Sequence, residues 1–201
     1  IKDATVKIIS GGDTANFSFV ETPGRWGVYL DRNKSFQARA GVVYTLLVTL
    51  PDGRVVKGKA RVPFVPKITA PSPNTKVSNA TVSQTLVHWE IDAEGVAYQI
   101  FFLARYASNF NAYQDLFAGK DYIVTAPPAT LDGISRHIFF QKEHYQNIAT
   151  IRIMAMDRNY YDYLRTNTDL LEHTGNSLNL LEGGYGFFGA VNLDSVNVVL
   201  E

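Results

Sequence analysis

Alternating hydrophobic and polar residues along the first sixty positions predict short β-strands joined by turns. Residues 4–9 (ATVKII) place apolar side chains on one face, and the glycine pair in 11–13 (GGD) follows as a turn. The longest apolar run, 41–50, is rich in β-branched residues and has the length of a strand. The Pro-Asp-Gly sequence at 51–53 favours a tight turn, after which 55–62 returns as the second arm of a hairpin. This spacing is typical of a small antiparallel sandwich.

Prolines mark a boundary after this first group of strands. Four of the eight prolines lie between residues 63 and 78. Proline has no N–H group to give to a strand ladder, so this stretch is predicted to be a semi-rigid linker or a sheet edge. We therefore predict two domains, a small β-sandwich over residues 1–64 and a larger β-sandwich over residues 65–201.

Two strands in tandem open the second predicted domain. Residues 85–91 alternate, with Trp89 on the apolar face and therefore in the predicted core, and 96–103 follow as the next strand. A tryptophan on one strand and a Tyr-x-Ile on the next are typical of the start of many fibronectin-III-like sandwiches. Further strands are predicted at 121–124, 134–141, 149–156 and 195–200.

Two other segments have helical spacing. Ser108 is a suitable N-cap for a helix over 108–119, in which aromatic residues recur at intervals of three and four. Residues 159–171 combine helical spacing with the absence of glycine and proline. The predicted fold class is all-β, with two β-sandwich domains and one or two short helices inserted in the second.

The composition is that of a folded protein without cysteine chemistry. Of 201 residues, 46% are hydrophobic and 19% are charged, which provides the apolar material for a core. No cysteine is present, which excludes disulfides, thiolate zinc sites, iron–sulfur clusters and a cysteine nucleophile. Lys and Arg number 19, as do Asp and Glu, so no net charge attracts nucleic acid. Residues 1–62 carry a net charge of +5 and residues 63–201 one of −5, which indicates either two units with different surfaces or ordinary scatter.

The sequence contains no assembled motif for catalysis or metal binding. Its four histidines are not paired at ligand spacing, and no nucleophile elbow, phosphate loop or zinc-protease motif occurs. The segment that begins at Asp157 departs from a calcium loop at its fifth, sixth and twelfth positions. The glycines of 183–189 are interpreted as sites of close backbone contact. We therefore expect a protein that is not an enzyme and has no catalytic residue, metal site or cofactor.

The best candidate for a ligand surface is a tyrosine-rich segment, Asp157 followed by Tyr160, Tyr161 and Tyr163. Tyrosine offers a flat apolar face with a polar tip, which suits sugars, peptides and protein interfaces. On a helix, Tyr160 and Tyr163 share a face while Tyr161 points elsewhere, so at least one of them is expected in the core. Asp157 is expected to cap the helix through its carboxylate. The segment therefore has two interpretations, ligand binding and packing.

Several stretches together carry a resemblance to a known family. They are AGVVYTLLV at 40–48, the hairpin from PDGR at 51–54 to ARVP at 60–63, MDRNYYDY at 156–163 and LEGGYGFFGA at 181–190. In this order they resemble a large uncharacterised family of Bacteroidota-type outer-membrane lipoproteins, often encoded beside TonB-dependent transporters.

The resemblance implies a fold, a location and a role. It implies an Ig- or transthyretin-like first domain, a second β-rich domain, export, and a lipid anchor on a cysteine upstream of Ile1. The expected role is that of a non-catalytic accessory or binding module of the cell envelope, with an outer-membrane transporter or a surface-assembly protein, or a glycan or peptide, as partner and no nucleic acid. The alternative is a carbohydrate-binding or carbohydrate-active protein that uses residues 160–163. A hydrolase of that kind would draw on the carboxylates of Glu143, Asp157, Asp162 and Glu182.

Overall fold

The protein is described by a computed structural model, in which strands dominate. The residues described are 2–21, 27–78, 87–90, 97–109, 112–115, 123–125, 141–169 and 181–201. No helix within these ranges has the length and the apolar character needed to cross a membrane.

Thirteen strands and one α-helix make up the regular structure of these ranges. In chain order they are β1 (Thr5–Ser10), β2 (Asp13–Val20), β3 (Val28–Leu30), β4 (Val43–Thr49), β5 (Val55–Arg61), β6 (Ile68–Ala70), β7 (Lys76–Val77), β8 (His88–Trp89), β9 (Ala97–Tyr106), β10 (Tyr113–Asp115), β11 (Ile123–Thr125), β12 (Tyr145–Met156), α1 (Arg158–Asp169) and β13 (Val191–Leu200). A single 3₁₀ turn, Lys142–His144, precedes β12.

The chain forms two compact units. The first consists of Ile1–Pro63 and Asp157–Val191, and the second of Phe64–Met156 and Asn192–Glu201. The first unit contains a five-stranded antiparallel sheet in the order β3-β2-β1-β4-β5. Short turns join β1 to β2 and β4 to β5, because the Gly-Gly and Pro-Asp-Gly sequences supply glycines with positive φ, Gly11, Gly12 and Gly53.

One face of the five-stranded sheet is apolar. Ile8 lies opposite Ala15 on one side and Leu46 on the other, and Gly58 is the partner of Leu46 on β5. Directly paired residues of antiparallel strands point to the same side, so these positions share a face with Phe17. We call this side the apolar sheet face.

Residues 181–190 lie along β5 and cover part of the apolar sheet face. Lys57 and Glu182 exchange two backbone hydrogen bonds, each 2.9 Å long. A Cβ atom added to Gly58 would lie 2.6 Å from Leu181 Cδ2 and 2.8 Å from Phe188 Cβ. One added to Gly184 would lie 2.8 Å from the Val56 side chain. Glycine at these positions lets the two chain segments approach closely.

The second unit has its own sheet and core. The sheet order is β10-β9-β12-β13-β7, with β11 also paired to β9 and with β13 and β7 parallel. Alternate residues of β9, β12 and β13 are buried and form one hydrophobic cluster, with Phe102, Ile153 and Val198 among its members. Trp89, on the separate β6–β8 pair, is half-buried against this cluster, 5.5 Å from the Tyr98 ring.

The predicted all-β fold of sandwich type is confirmed. The helix predicted at 159–171 is also confirmed as far as residue 169, since α1 runs over Arg158–Asp169, and residues 170 and 171 lie outside the described residues. The helix predicted at 108–119 is wrong within the described residues, because Tyr113–Asp115 is a strand whose backbone pairs with β9. Strand pairing here overrides local helical spacing. The strand predicted at 134–141 lies outside the described residues, apart from Gln141.

The compact units divide the chain differently from the predicted domains. The first break, at Pro63, lies beside the predicted boundary, but residues 157–191 belong with the first unit and not with the second. The first unit then holds twelve Lys and Arg and ten Asp and Glu, a net charge of +2. The difference in net charge between the two units is therefore smaller than the difference between residues 1–62 and residues 63–201. Whether 1–64 and 65–201 fold as independent domains stays a prediction.

Valine in place of Gly58 is expected to destabilise the protein by about 1–3 kcal/mol, because the new side chain overlaps Leu181 and Phe188. Urea unfolding followed by circular dichroism measures the change. Lys59→Val is the matched control, since it adds the same side chain at the next, exposed position of β5 and should change stability by less than about 0.5 kcal/mol. Equal stability of the two variants would contradict the packing described here.

Candidate functional site

The predicted ligand segment lies at the beginning of α1 in the first unit. Asp157 is the N-cap of the helix: its Oδ1 accepts a hydrogen bond from the Tyr160 backbone N–H at 2.9 Å, and its backbone carbonyl accepts one from Tyr161 at 3.1 Å. The Asp157 N–H donates to the Ala190 carbonyl at 3.0 Å. The expected capping role is therefore present, and it fastens the helix start to the segment that covers the apolar sheet face.

Asp157 is a charged residue that is buried, with 8% of its surface exposed. Burial raises the pKa of its carboxyl above 3.8, while hydrogen bonds from the backbone N–H groups of Tyr160 and Ala190 act in the opposite direction. A Cβ on Gly189 would lie 3.2 Å from Asp157 Oδ1 and 3.0 Å from the Tyr160 backbone N. The carboxyl thus serves to hold the helix start and is closed in by the glycine-rich segment.

Tyr160 and Tyr163 pack against one aromatic residue of the covering segment. The Tyr163 ring stacks on Phe187 with centroids 3.8 Å apart and an angle of 19°, and the Tyr160 ring meets Phe187 edge-on at 5.7 Å. Asn159 adds hydrogen bonds from its side-chain N–H groups to the Lys59 carbonyl at 2.6 Å and the Phe188 carbonyl at 2.8 Å. This side of α1 is engaged in packing, as the shared face of residues 160 and 163 predicts.

Tyr161 lies on a different side of α1, among charged groups. The guanidinium carbons of Arg158 and Arg165 both lie 5.9 Å from the centre of its ring. Arg158 Nε also donates to Asp162 Oδ2 at 2.8 Å. Tyr163 keeps 37% of its surface exposed. The four residues of the predicted site therefore divide into a packing pair, a capping carboxylate and a half-buried ring between two cations.

The remaining carboxylates named from the sequence are distributed over both units, and Asp162 of the first unit accepts a hydrogen bond from Arg158. Glu143 lies in the 3₁₀ turn of the second unit, and Glu182 makes backbone bonds to β5 in the first. Within the described ranges, no group of three or more His, Asp or Glu side chains has metal-site geometry.

A second candidate site, which the sequence did not indicate, is a cleft in the first unit. Its volume is about 580 Å³, and it opens between the β1–β2 turn and the segment 35–44. Less exposed apolar residues form its floor, among them Ile8, Ala15 and Phe36. Exposed polar residues line its rim. The cleft thus lies over a part of the apolar sheet face that residues 181–190 are not seen to contact.

Residues 31–36, which lead into the cleft wall at Ser35 and Phe36, are organised by one carboxylate. Asp31 Oδ2 accepts a hydrogen bond from the Phe36 N–H at 2.6 Å, and Oδ1 accepts one from the Asn33 N–H at 3.2 Å. The Ser35 hydroxyl donates to the same carboxylate at 3.3 Å. These bonds, with the one from Phe36 as the largest effect, lower the pKa of Asp31 below 3.8. The segment therefore has a defined conformation rather than that of a loose connection.

Aromatic contacts and a tyrosine hydroxyl complete this wall. The Phe36 ring meets Phe17 edge-on at 5.9 Å and Tyr44 edge-on at 5.3 Å. The Tyr44 hydroxyl oxygen accepts a hydrogen bond from the Arg39 backbone N–H at 2.9 Å. Local sequence carried no sign of the cleft, because its lining comes from three strands, β1, β2 and β4, and a connecting segment whose positions depend on the sheet. The clustered Asp31, Asn33 and Ser35 are the only local signal, and they indicate a turn.

A family model described as "Domain of unknown function (DUF4249)" matches residues 1–196 of the chain. No curated protein and no solved structure matches it.

The buried Asp157 is expected to give stability a pH dependence that Asp157→Asn removes. The pKa of the Asp157 carboxyl is higher in the folded protein than in the unfolded chain, so the folded state binds the proton more tightly. The stability gained from this protonation is fully present below pH 3.8 and is lost as the pH rises through the folded-state pKa. The free energy of unfolding of the wild type minus that of the variant should therefore fall as the pH rises from about 3.8 through the folded-state pKa. Urea unfolding at a series of pH values measures it.

Asp52→Asn provides a control of opposite sign. Hydrogen bonds from Arg54 lower the pKa of the exposed Asp52, so its contribution is present above pH 3.8 and is lost as the pH falls. The wild-type-minus-variant difference should rise with pH for Asp52 and fall for Asp157. The same sign for both would show that the burial of Asp157 does not govern its ionisation.

Proposed function

Because the chain belongs to the DUF4249 family, a domain of unknown function, we propose a function from its geometry: a non-catalytic binding module whose ligand site is the cleft of the first unit. The single observation that supports this is the cleft itself. It has the volume of a small-molecule pocket, an apolar floor and a polar rim, a combination that characterises ligand sites.

The ordered structure of the cleft wall supports the proposal that the cleft is a ligand site and not a chance depression of the surface. The Asp31 carboxylate, the Phe36 ring and the Tyr44 hydroxyl hold the segment that forms one side of the cleft. A site that is already ordered before binding avoids the entropy cost of arranging itself around the ligand. The described carboxylates and histidines, by contrast, suggest no reactive constellation beside the cleft, so binding rather than turnover is proposed.

The place of action that we propose is the bacterial cell envelope. The sequence stretches at 40–48, 51–63, 156–163 and 181–190 support it, through their resemblance to Bacteroidota-type outer-membrane lipoproteins encoded beside TonB-dependent transporters. In this proposal the mature protein is lipid-anchored to the outer membrane and assists a transporter or a surface assembly. The finer fold assignment, Ig- or transthyretin-like followed by fibronectin-III-like, belongs to the same proposal.

The alternative function is carbohydrate binding through the tyrosine-rich segment. One observation favours it: Tyr161 lies between the guanidinium groups of Arg158 and Arg165, while Tyr163 is partly exposed to solvent. Aromatic faces beside hydrogen-bond donors suit sugar rings. Against it, Tyr163 already stacks on Phe187, Tyr160 packs edge-on against the same ring, and Asp157 is used as a helix cap.

Filling the cleft is expected to abolish binding there. In the Ala15→Phe variant, the new ring would occupy the floor, whereas Ser18→Phe places the same side chain on the opposite, exposed side of β2 and serves as the control. Free peptides, oligosaccharides and fatty acids are titrated against ¹⁵N-labelled protein. At least one probe should shift the amide signals of Ile8, Phe36 and Tyr44 in the wild type and in Ser18→Phe, but not in Ala15→Phe. No shift at the cleft with any probe would overturn the proposed function.

A glycan array tests the alternative. If the tyrosine-rich segment binds sugars, Tyr161→Ala should lose array binding with a smaller fall in melting temperature than Tyr163→Ala, because the ring of Tyr161 lies near the exposed side chains of Arg158 and Arg165 and is not stacked on Phe187 in the described contacts. Tyr163→Ala should lose both binding and some stability, because its ring stacks on Phe187. Glycan binding that survives in both variants would exclude this segment as the sugar site.

A further inference from the structure

The rim of the cleft carries two opposite charges on different chain segments. Asp13 begins β2, next to the β1–β2 turn, and Arg39 lies in the segment that leads to β4. Both side chains are exposed, and neither is in an ion pair within the part of the chain that the structure describes. One cleft is therefore lined by an acidic and a basic residue, which come from different chain segments.

The floor between these charges is apolar. Ile8 and Ala15 face the cleft from the paired strands β1 and β2, and Phe36 and Val42 from the opposite segment. The side chains are aliphatic or aromatic and half-buried, so an apolar group that covers them removes their surface from water. The volume of about 580 Å³ is within the usual range of small-ligand pockets, roughly 300–1,000 Å³.

We infer that the cleft binds a short peptide with free ends, its ammonium group towards Asp13, its carboxylate towards Arg39 and an aliphatic side chain on the floor. The inference rests on the proposed function and names its ligand class. A guanidinium is suited to a carboxylate because its N–H groups match both oxygens. The ammonium group is the matching cation for an aspartate.

Other ligand classes fit the same surface less well. A neutral glycan would displace water from both ions without bringing an opposite charge to either. A fatty acid would satisfy Arg39 but would bring no cation to Asp13. A peptide with two charged ends and an apolar middle is complementary to the rim and the floor at once.

The expected affinity is modest, because both charges are exposed to solvent and screened by salt. Each charged end of the peptide is expected to contribute about fivefold to the dissociation constant at low ionic strength. This predicts a definite ranking of chemically blocked peptides.

The test uses Ala-Leu-Ala in four forms: free, N-acetylated, C-amidated and blocked at both ends. Binding to the full chain is followed by ¹⁵N amide shifts at low salt. Each single block should weaken binding about fivefold, and the double block more strongly. Raising the salt concentration should reduce the differences among the four peptides.

Charge-neutral variants assign each end of the peptide to its partner. In the Asp13→Asn variant, acetylation of the peptide N-terminus should no longer weaken binding, whereas amidation of its C-terminus still should. In the Arg39→Gln variant, amidation should have no effect and acetylation should still weaken binding. Lys59→Gln is the control, since it removes an exposed charge from a residue that does not line the cleft. The melting temperature of each variant shows that the fold is kept.

The outcomes separate this inference from the proposed function. If the blocked peptides bind as well as the free one, the proposed ligand class is wrong. The same holds if only an oligosaccharide or a fatty acid shifts the cleft signals. In both cases the proposal of a binding module is retained. If the two variants respond alike to both blocks, the assignment of the charged ends is wrong. If no probe of any class shifts the cleft signals, both proposals fail.

Discussion

The first unit depends on one constraint: the apolar face of its five-stranded sheet must be covered. A single sheet has two faces, and a face that carries Ile8, Phe17 and Leu46 cannot stay in water without a large cost in hydrophobic free energy. No second complete sheet is seen over it among the described residues. Instead, residues 181–190 and the segment that contains Phe36 contact different parts of it.

The glycines of the first unit follow from this constraint. Gly58 and Gly184 lie where β5 and the covering segment approach each other within side-chain contact distance, and Gly189 lies against the Asp157 carboxyl and the Tyr160 backbone. A side chain at any of these positions would push the covering segment away from the sheet or from the helix start. The glycine-rich stretch at 183–189 resembles a ligand loop in composition but has a packing role. This agrees with the interpretation of its glycines as sites of close backbone contact.

The same constraint explains why the two candidate sites differ in character. Tyr160 and Tyr163 are held by Phe187 of the covering segment, and Asp157 ties the start of α1 to Ala190, so much of this site is used to close the unit. At the β1–β2 turn the cover is incomplete, and the Asp31-anchored segment leaves a cleft with an apolar floor. An incompletely covered apolar face with a polar rim is the natural place for a ligand.

The sequence by itself determined the all-β class, the hairpins around the Gly-Gly and Pro-Asp-Gly turns, α1, and the capping role of Asp157, because each depends on interactions between residues close in the chain. Only the tertiary structure decided that residues 157–191 belong with the first unit, that Tyr113–Asp115 is a strand, and that β1, β2 and the segment 35–44 enclose a cleft. These features depend on pairing and burial between residues tens of positions apart. Local spacing carries no record of such partners, and the free energy of covering an apolar face is defined only once the sheet has formed.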